Sequence, residues 1–457
     1  MKTKRPLFLF GLISIFSGIN VQAQNAECTT NLSIFAEHVK VKNYDAAYEP
    51  WKKVKDDCPD LHVATYIYGE RILKDKIKKS SGSDKETNVN MLLSLYDDGY
   101  KYFPSKFKLA DVLSDKALLM YDEKIGSDEE IYELLNKAFT EDRANFKNPK
   151  ALYLYFSSLV NLHNAGKKDL QVVFDTYDNV TERIEEEKAD LSQTIDKLVP
   201  KEETGTLTSK EKKALERSQV NSESYDKIAG SIDGKLGVLA DCENLIPLYE
   251  KNFEAKKGEA IWLKRAAGRM DAKECTDSPL FVKLVEALHQ LEPSASSAYY
   301  LGILNDKKGN SSEAIKYYNE SVELETDNYK KAKTLYKIAY KYEKRGQKST
   351  ARNYAQKAIQ YQPSNGNAYL LIARLYANSA NDCGATPFEK RAIYWKAAEM
   401  ARKAGRVDPS VKSIADKTAN SYSQRAPSKQ DIFSAAMGGK TIKFNCWVGG
   451  SVTVPNL

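Results

Sequence analysis

Four histidines, six cysteines and one Gly-Lys-Thr step are the residues of this 457-residue chain whose types could carry chemistry. The histidines, His38, His62, His163 and His289, stand far apart. None has a second histidine three or four residues on, so no helical zinc pair and no H-E-x-x-H is formed. Each reads as a helix-surface or packing residue. Gly439-Lys440-Thr441 has the ending of a phosphate-binding loop, but Ser434 stands where the leading glycine is needed. The segment also runs into a strand-like stretch instead of a helix, which excludes that loop. No G-x-S-x-G occurs, and acid pairs such as Glu185 and Glu187 belong to solvated helix faces. The expectation is a chain with no catalytic residue, no metal and no cofactor.

The cysteines are Cys28, Cys58, Cys242, Cys275, Cys383 and Cys446. No two have C-x-x-C spacing, so neither a redox motif nor a zinc ribbon is indicated. Six cysteines allow 15 pairings. In a helical array only neighbours meet, so Cys28–Cys58, Cys242–Cys275 and Cys383–Cys446 are expected. Each bridge would contribute ~3–4 kcal/mol by constraining the unfolded chain. Disulfides fit an exported protein, and the first residues carry that address. Lys2, Lys4 and Arg5 precede the apolar run Pro6–Ile19, and Val21-Gln22-Ala23 follows as a cleavage motif, so residues 1–23 read as a signal peptide. The run is short and interrupted for a span of ~20 residues. Asn25-Ala26-Glu27 before Cys28 lacks the small apolar character of a lipoprotein box.

The formal charge of +7 falls to +4 without the three basic residues of this leader. Basic and acidic residues alternate throughout, as on solvated helix faces. The densest basic run, Lys74 to Lys79, contains no aromatic residue, so a nucleic-acid partner is not expected.

Positioning falls to helices. In "ARNYAQKAIQYQP" a small residue, Ala351, is followed by another seven later, Ala358, and then by Pro363. Upstream, Ile338-Ala339 and Tyr342 supply a first helix. The preceding copy has Leu301-Gly302, Ala314 and Tyr318; the following one has Ala373, Tyr376, Ala397, Ala401, Ala404 and Pro409, interrupted by an insertion with Cys383. Near the start, Ala47, Trp51, Val54 and Pro59 repeat the pattern, with Tyr68-Gly69 and Pro104 in looser register. These copies resemble the tetratricopeptide repeat, a helix–turn–helix of about 34 residues. The resemblance covers residues 295–409 and 31–104. It implies an all-α solenoid in which each helix pair buries its apolar face against the next.

Two stretches depart from the repeat. Residues 167–198 carry apolar side chains at three- and four-residue steps from Leu170 to Leu198. After "PKEETGTLTSKE", Thr208 to Glu211 reads as a capping box opening a second helix. This predicts a long helical hairpin, either projecting from the array or lying along it. At the end, Ser428 caps a short helix, and "KTIKFNCW" and "SVTVP" alternate about Val448-Gly449-Gly450, which predicts a β-hairpin. It would cap the solenoid end or offer a strand to a partner. The expected layout is therefore 1–23 signal peptide, 24–165 N-terminal repeats, 166–240 helical hairpin, 241–294 helical repeats, 295–424 C-terminal repeats and 425–457 tail.

Tyrosine is abundant, 28 against 15 phenylalanines. It suits helix seams with a wet hydroxyl, and partner anchoring. The resemblance implies that first helices line a concave groove. On that register Tyr299, Ile303, Lys333, Tyr336, Tyr340, Leu370 and Arg374 face it, an aromatic and basic strip suited to an extended acidic peptide. The Lys and Asn set of the family's chaperone-tail clamp is mostly missing. The layout, with its Cys-Trp tail near "CWVGG", also resembles secreted tetratricopeptide proteins of Gram-negative bacteria. The expectation is a periplasmic scaffold that binds a protein of the cell envelope or an outer-membrane complex. A holdase for exported proteins and an accessory subunit of glycan processing are the alternatives.

Overall fold

The computed structural model describes residues 16–456, with side chains from Ala26 onward apart from Val238. Of the expected leader, residues 1–15 lie outside the described residues. Two compact units divide the chain between Val173 and Phe174.

The first unit stacks antiparallel helices α1 (Phe16–Lys40), α2 (Tyr44–Asp57), α3 (Ala64–Lys79), α4 (Gly82–Tyr102), α5 (Leu109–Glu123), α6 (Asp128–Glu141) and α7 (Pro149–Asn164). Their starts are written in the sequence: Asn43 and Asn148 accept backbone N–H groups, and Ser127 and Glu130 form a capping box. Trp51 is fully buried and donates from its indole to the Thr65 carbonyl at 2.7 Å. Gly69 lies against that ring, where a Cβ would stand 2.5 Å from Nε1. A small residue is required there because the two helices touch through the tryptophan.

The second unit opens with the hairpin α8 (Leu170–Glu203) and α9 (Ser209–Leu236). Thr208 and Glu211 cap α9 reciprocally. Tyr177 donates to Asp233 at 2.7 Å and Lys201 meets Glu211 at 2.6 Å, so the two arms lie side by side. Helices α10 (Cys242–Lys256), α11 (Ala260–Ala272) and α12 (Pro279–Leu291) follow. Then come the pairs α13 (Ala295–Lys307) with α14 (Ser311–Leu324), α15 (Asn328–Lys344) with α16 (Lys348–Tyr361), and α17 (Gly366–Ala377) with α18 (Pro387–Val407), and last α19 (Lys412–Arg425).

Small residues occupy the pair contacts. Ala314, Ala351, Ala358, Ala373, Ala397, Ala401 and Ala404 are fully buried, and a Cβ on Gly302 would meet the Tyr318 ring at 2.5 Å. Tyrosines fill the seams beside them: Tyr299, Tyr318, Tyr342 and Tyr354 follow one another at ring separations of 5.9, 6.4 and 5.6 Å. Replacing Ala351 with leucine forces extra methylenes into this contact and should cost about 1–3 kcal/mol. Thermal unfolding that leaves the midpoint of Ala351→Leu at the wild-type value would refute the packing register.

The tail adds α20 (Lys429–Ser434) and strands β1 (Thr441–Lys443) and β2 (Ser451–Thr453), paired antiparallel with Ile442 opposite Val452. It docks on the flank of α16 to α18. Arg352 donates to the carbonyls of Trp447 and Val448 at 2.7 and 2.8 Å, Lys396 to Gly449 at 2.9 Å, and the Trp447 indole to Ser379 at 3.1 Å. A hairpin this short is marginal alone, and these anchors supply what it lacks. All three expected disulfides are present, Cys28–Cys58, Cys242–Cys275 and Cys383–Cys446, with Cα separations of 6.4, 5.5 and 5.3 Å. The last ties the tail to the insertion between α17 and α18.

Candidate functional site: the inner face of the repeats

In the second unit α8 lies along the inner face formed by α11, α15 and α17. From its N-terminal end, Asp178 pairs with the buried Arg269 of α11, and Glu182 with Arg265 at 2.8 Å. One to two turns on, Glu185 meets Lys333 of α15 at 2.7 Å. Farther along, the Ser364 amide before α17 donates to Asp196 at 2.8 Å. There Ile195, Leu198 and Val199 cluster with Leu215, Val407 and Tyr369, and Glu203 pairs with Lys403 of α18. The chain's own acidic, apolar-striped helix therefore engages Lys333, one of the residues that the repeat pattern assigned to a partner.

The seven residues expected in the groove separate accordingly. Tyr299, Ile303 and Leu370 are 6, 2 and 5% exposed and present nothing to a partner. Tyr299 turns into the tyrosine seam beside Tyr318. Leu370 packs with Ala373, Ala401, Ala404, Val411 and Ala415, between α17, α18 and α19. Lys333 is engaged by α8. Tyr336, Tyr340 and Arg374 do come together: the two tyrosines stand one turn apart on α15, and burial raises the Tyr336 hydroxyl while the nearby Arg374 guanidinium opposes the rise. Tyr340 is 41% exposed, and the Arg374 side chain 40%. Glu343, which no spacing rule singled out, fixes Arg374 through paired bonds of 3.1 and 2.9 Å. The result is an open patch of amphipathic rings around an oriented guanidinium.

Where α8 and α9 meet the repeats, a cavity of about 230 Å³ with a mixed polar and apolar lining remains. Its wall includes Glu185, Lys188, Gln219, Ser222, Asp226, Tyr329, Lys333, Asn367 and Asp408. Burial alone would lower the Lys188 ammonium. Tyr329, Asp226 and Glu185 around it outweigh that and hold its pKa above the ordinary value. Burial would likewise raise Glu185, but Lys333 and Lys188 keep it below the usual carboxylate range. Its residues come from positions 185 to 410, and no local signal in the sequence could have gathered them.

The first unit has a cleft of about 610 Å³ walled by α3, α4 and α5. Burial and then Glu70 push the Asp115 carboxyl up to about 6. Lys74 pairs with Glu70 at 2.6 Å, and Lys79 with Asp75 at 2.7 Å and Asp45 at 3.0 Å. The basic run is thus largely neutralised by its own helix and its neighbour.

Three of the four histidines are engaged within the chain. The Ala64 amide donates to His62 Nδ1, His163 Nδ1 lies 2.8 Å from the Lys168 carbonyl, and His289 Nδ1 lies 3.1 Å from Ser297 Oγ. Among the described residues no group of three or more His, Cys, Asp or Glu could hold a metal ion, and no helix is long and apolar enough to cross a membrane.

No family model matches the chain, and no curated protein does. Among solved structures, a tetratricopeptide repeat protein from Parabacteroides merdae is similar at 12% identity, covering 68% of this chain and 97% of the other with a TM-score of 0.25. Yeast Tom70 is similar at 12% identity, covering 80% and 82% with a TM-score of 0.25. A human IFIT1 dimer with PPP-AAAA is similar at 13%, covering 90% and 91% with a TM-score of 0.28. Similarities of this extent assign neither activity nor partner. The helix pairs themselves, with small residues at their contacts, make this an all-α, tetratricopeptide-like helical-repeat protein.

Proposed function

We propose that the protein is an exported, non-catalytic scaffold that binds a protein partner of the cell envelope through the patch of Tyr336, Tyr340 and Arg374. The observation that carries this reading is the patch itself. Tyrosine rings and a forked guanidinium, held in place yet partly exposed, are the residue types that concentrate binding energy at protein interfaces. Three disulfides suit an oxidising compartment such as the periplasm. A holdase would need a broad apolar groove, whereas this patch is tyrosine hydroxyls around a guanidinium.

The test is a tagged protein cross-linked in living cells. One stoichiometric envelope partner is expected, with recovery reduced at least tenfold, about 1.4 kcal/mol, in Tyr336→Ala with Tyr340→Ala. Tyr340→Ala alone, at an exposed position, separates binding from folding. Undiminished capture by both variants, or a smear of unfolded exported proteins, would overturn the reading.

A further inference from the structure

We propose that the cavity between the α8–α9 hairpin and the last repeats binds a neutral, polyhydroxylated molecule the size of one sugar residue. The cavity shares Tyr336 with the protein-docking patch, but Tyr340 and Arg374 do not line it, so Tyr340 separates the two sites. Its volume of about 230 Å³ equals about eight water molecules at roughly 30 Å³ each, enough for a single pyranose ring.

The chemistry of the wall selects the ligand. Four of its five charged side chains are matched within the protein: Glu185 with Lys333 at 2.7 Å, and Lys188 with Asp226. Asp408 accepts from the amides of Gly366 and Ser410 and from the Ser410 hydroxyl. An anionic ligand would lose its hydration without meeting a free cation, and a cationic one would meet only Asp408, whose oxygens those donors already occupy. An apolar one would strand polar groups against hydrocarbon.

What the wall leaves over is neutral. Among the described residues the side chains of Gln219 and Ser222 on α9 and Asn367 on α17 have no hydrogen-bond partner within the chain. Two amides and a hydroxyl can each donate and accept, as the hydroxyls of a sugar do. Tyr329 and Tyr336, seven residues apart on one face of α15, add two aromatic rings to the same wall. A sugar has both requirements, a rim of hydroxyls and apolar C–H faces.

The experiment is a calorimetric titration of the full protein with glucose, galactose, mannose and N-acetylglucosamine, each free and as its methyl glycoside. Saturable binding of at least one is expected. Gln219→Ala and Asn367→Ala should each weaken it about three- to tenfold, Ser222→Trp should abolish it by filling the space, and Tyr340→Ala should leave it unchanged. Because Gln219 and Asn367 make no internal hydrogen bond, both alanine variants should melt with the wild type, so lost binding is not lost folding. Equal affinity for the methyl glycoside marks a chain-terminal sugar as the source, and loss on methylation marks a free one; either supports the assignment. No saturable binding to any of the four, or binding that the two alanine variants and Ser222→Trp leave unchanged, would overturn it.

Discussion

Arg269→Ala is expected to lower the stability of the second unit by about 3–5 kcal/mol, the range for breaking a buried ion pair from one side. The guanidinium sits over the rings of Phe174, Tyr177 and Tyr249 at 4.5, 5.7 and 5.8 Å. It donates to the Phe174 carbonyl at 3.1 Å and to the Tyr249 hydroxyl, and pairs with Asp178. Three helices, α8, α10 and α11, thus converge on one side chain. Its loss strands Asp178, whose carboxyl burial already pushes up and which Arg269 chiefly holds down. Calorimetric unfolding at neutral pH should show the midpoint fall by roughly 6–15 °C. Arg269→Lys should recover little, because an ammonium cannot span the same fork of acceptors. A midpoint within about 2 °C of wild type would show that α8 is held by other contacts.

Asp306→Ala is the second large effect, at about 3–4 kcal/mol. Its carboxylate accepts from the buried Tyr318 hydroxyl at 2.7 Å and pairs with Arg345 at 2.6 Å. The Asp306 side chain is only 2% exposed, so the tyrosine hydroxyl left behind has no water to turn to. Asp306→Asn keeps an acceptor for Tyr318 and loses the ion pair, so it should fall between alanine and wild type. Equal stability of all three in denaturant titrations would remove this site from the account of the α13–α15 seam.

The repeats were legible because their signal is local. Gly302 facing Tyr318, and Ala351 with Ala358, report a helix contact a few residues away in the same pair. The capping box at Thr208 and the alternation around Gly449-Gly450 are local in the same sense. The groove was less legible, since on a helix a one-residue difference rotates a side chain by about 100°. That suffices to turn Leu370 from an inner face into the seam with α18 and α19. The stripe of Val173, Phe174, Val180, Ile184, Ile195 and Leu198 announced that α8 buries one side, but no spacing within α8 names the surface that receives it. Glu343 and the cavity wall were hidden for the same reason, their partners lying on other helices.

Repeat arrays contact their neighbours only and can unfold a piece at a time. α8 changes that for this unit. It bonds residues 168 positions apart at Ser364 and 200 apart at Lys403, so the terms that govern folding are those of a high-contact-order domain. The closing entropy of those long loops must be met before α8 is rewarded. During synthesis Ile195, Leu198 and Val199 emerge long before Tyr369 and Val407, with Leu215 of α9 as their early partner. The last repeats therefore complete a set of contacts to α8 that α11 and α15 begin. A repeat array of separable pairs thus gains, through one helix, contacts that couple its distant pieces.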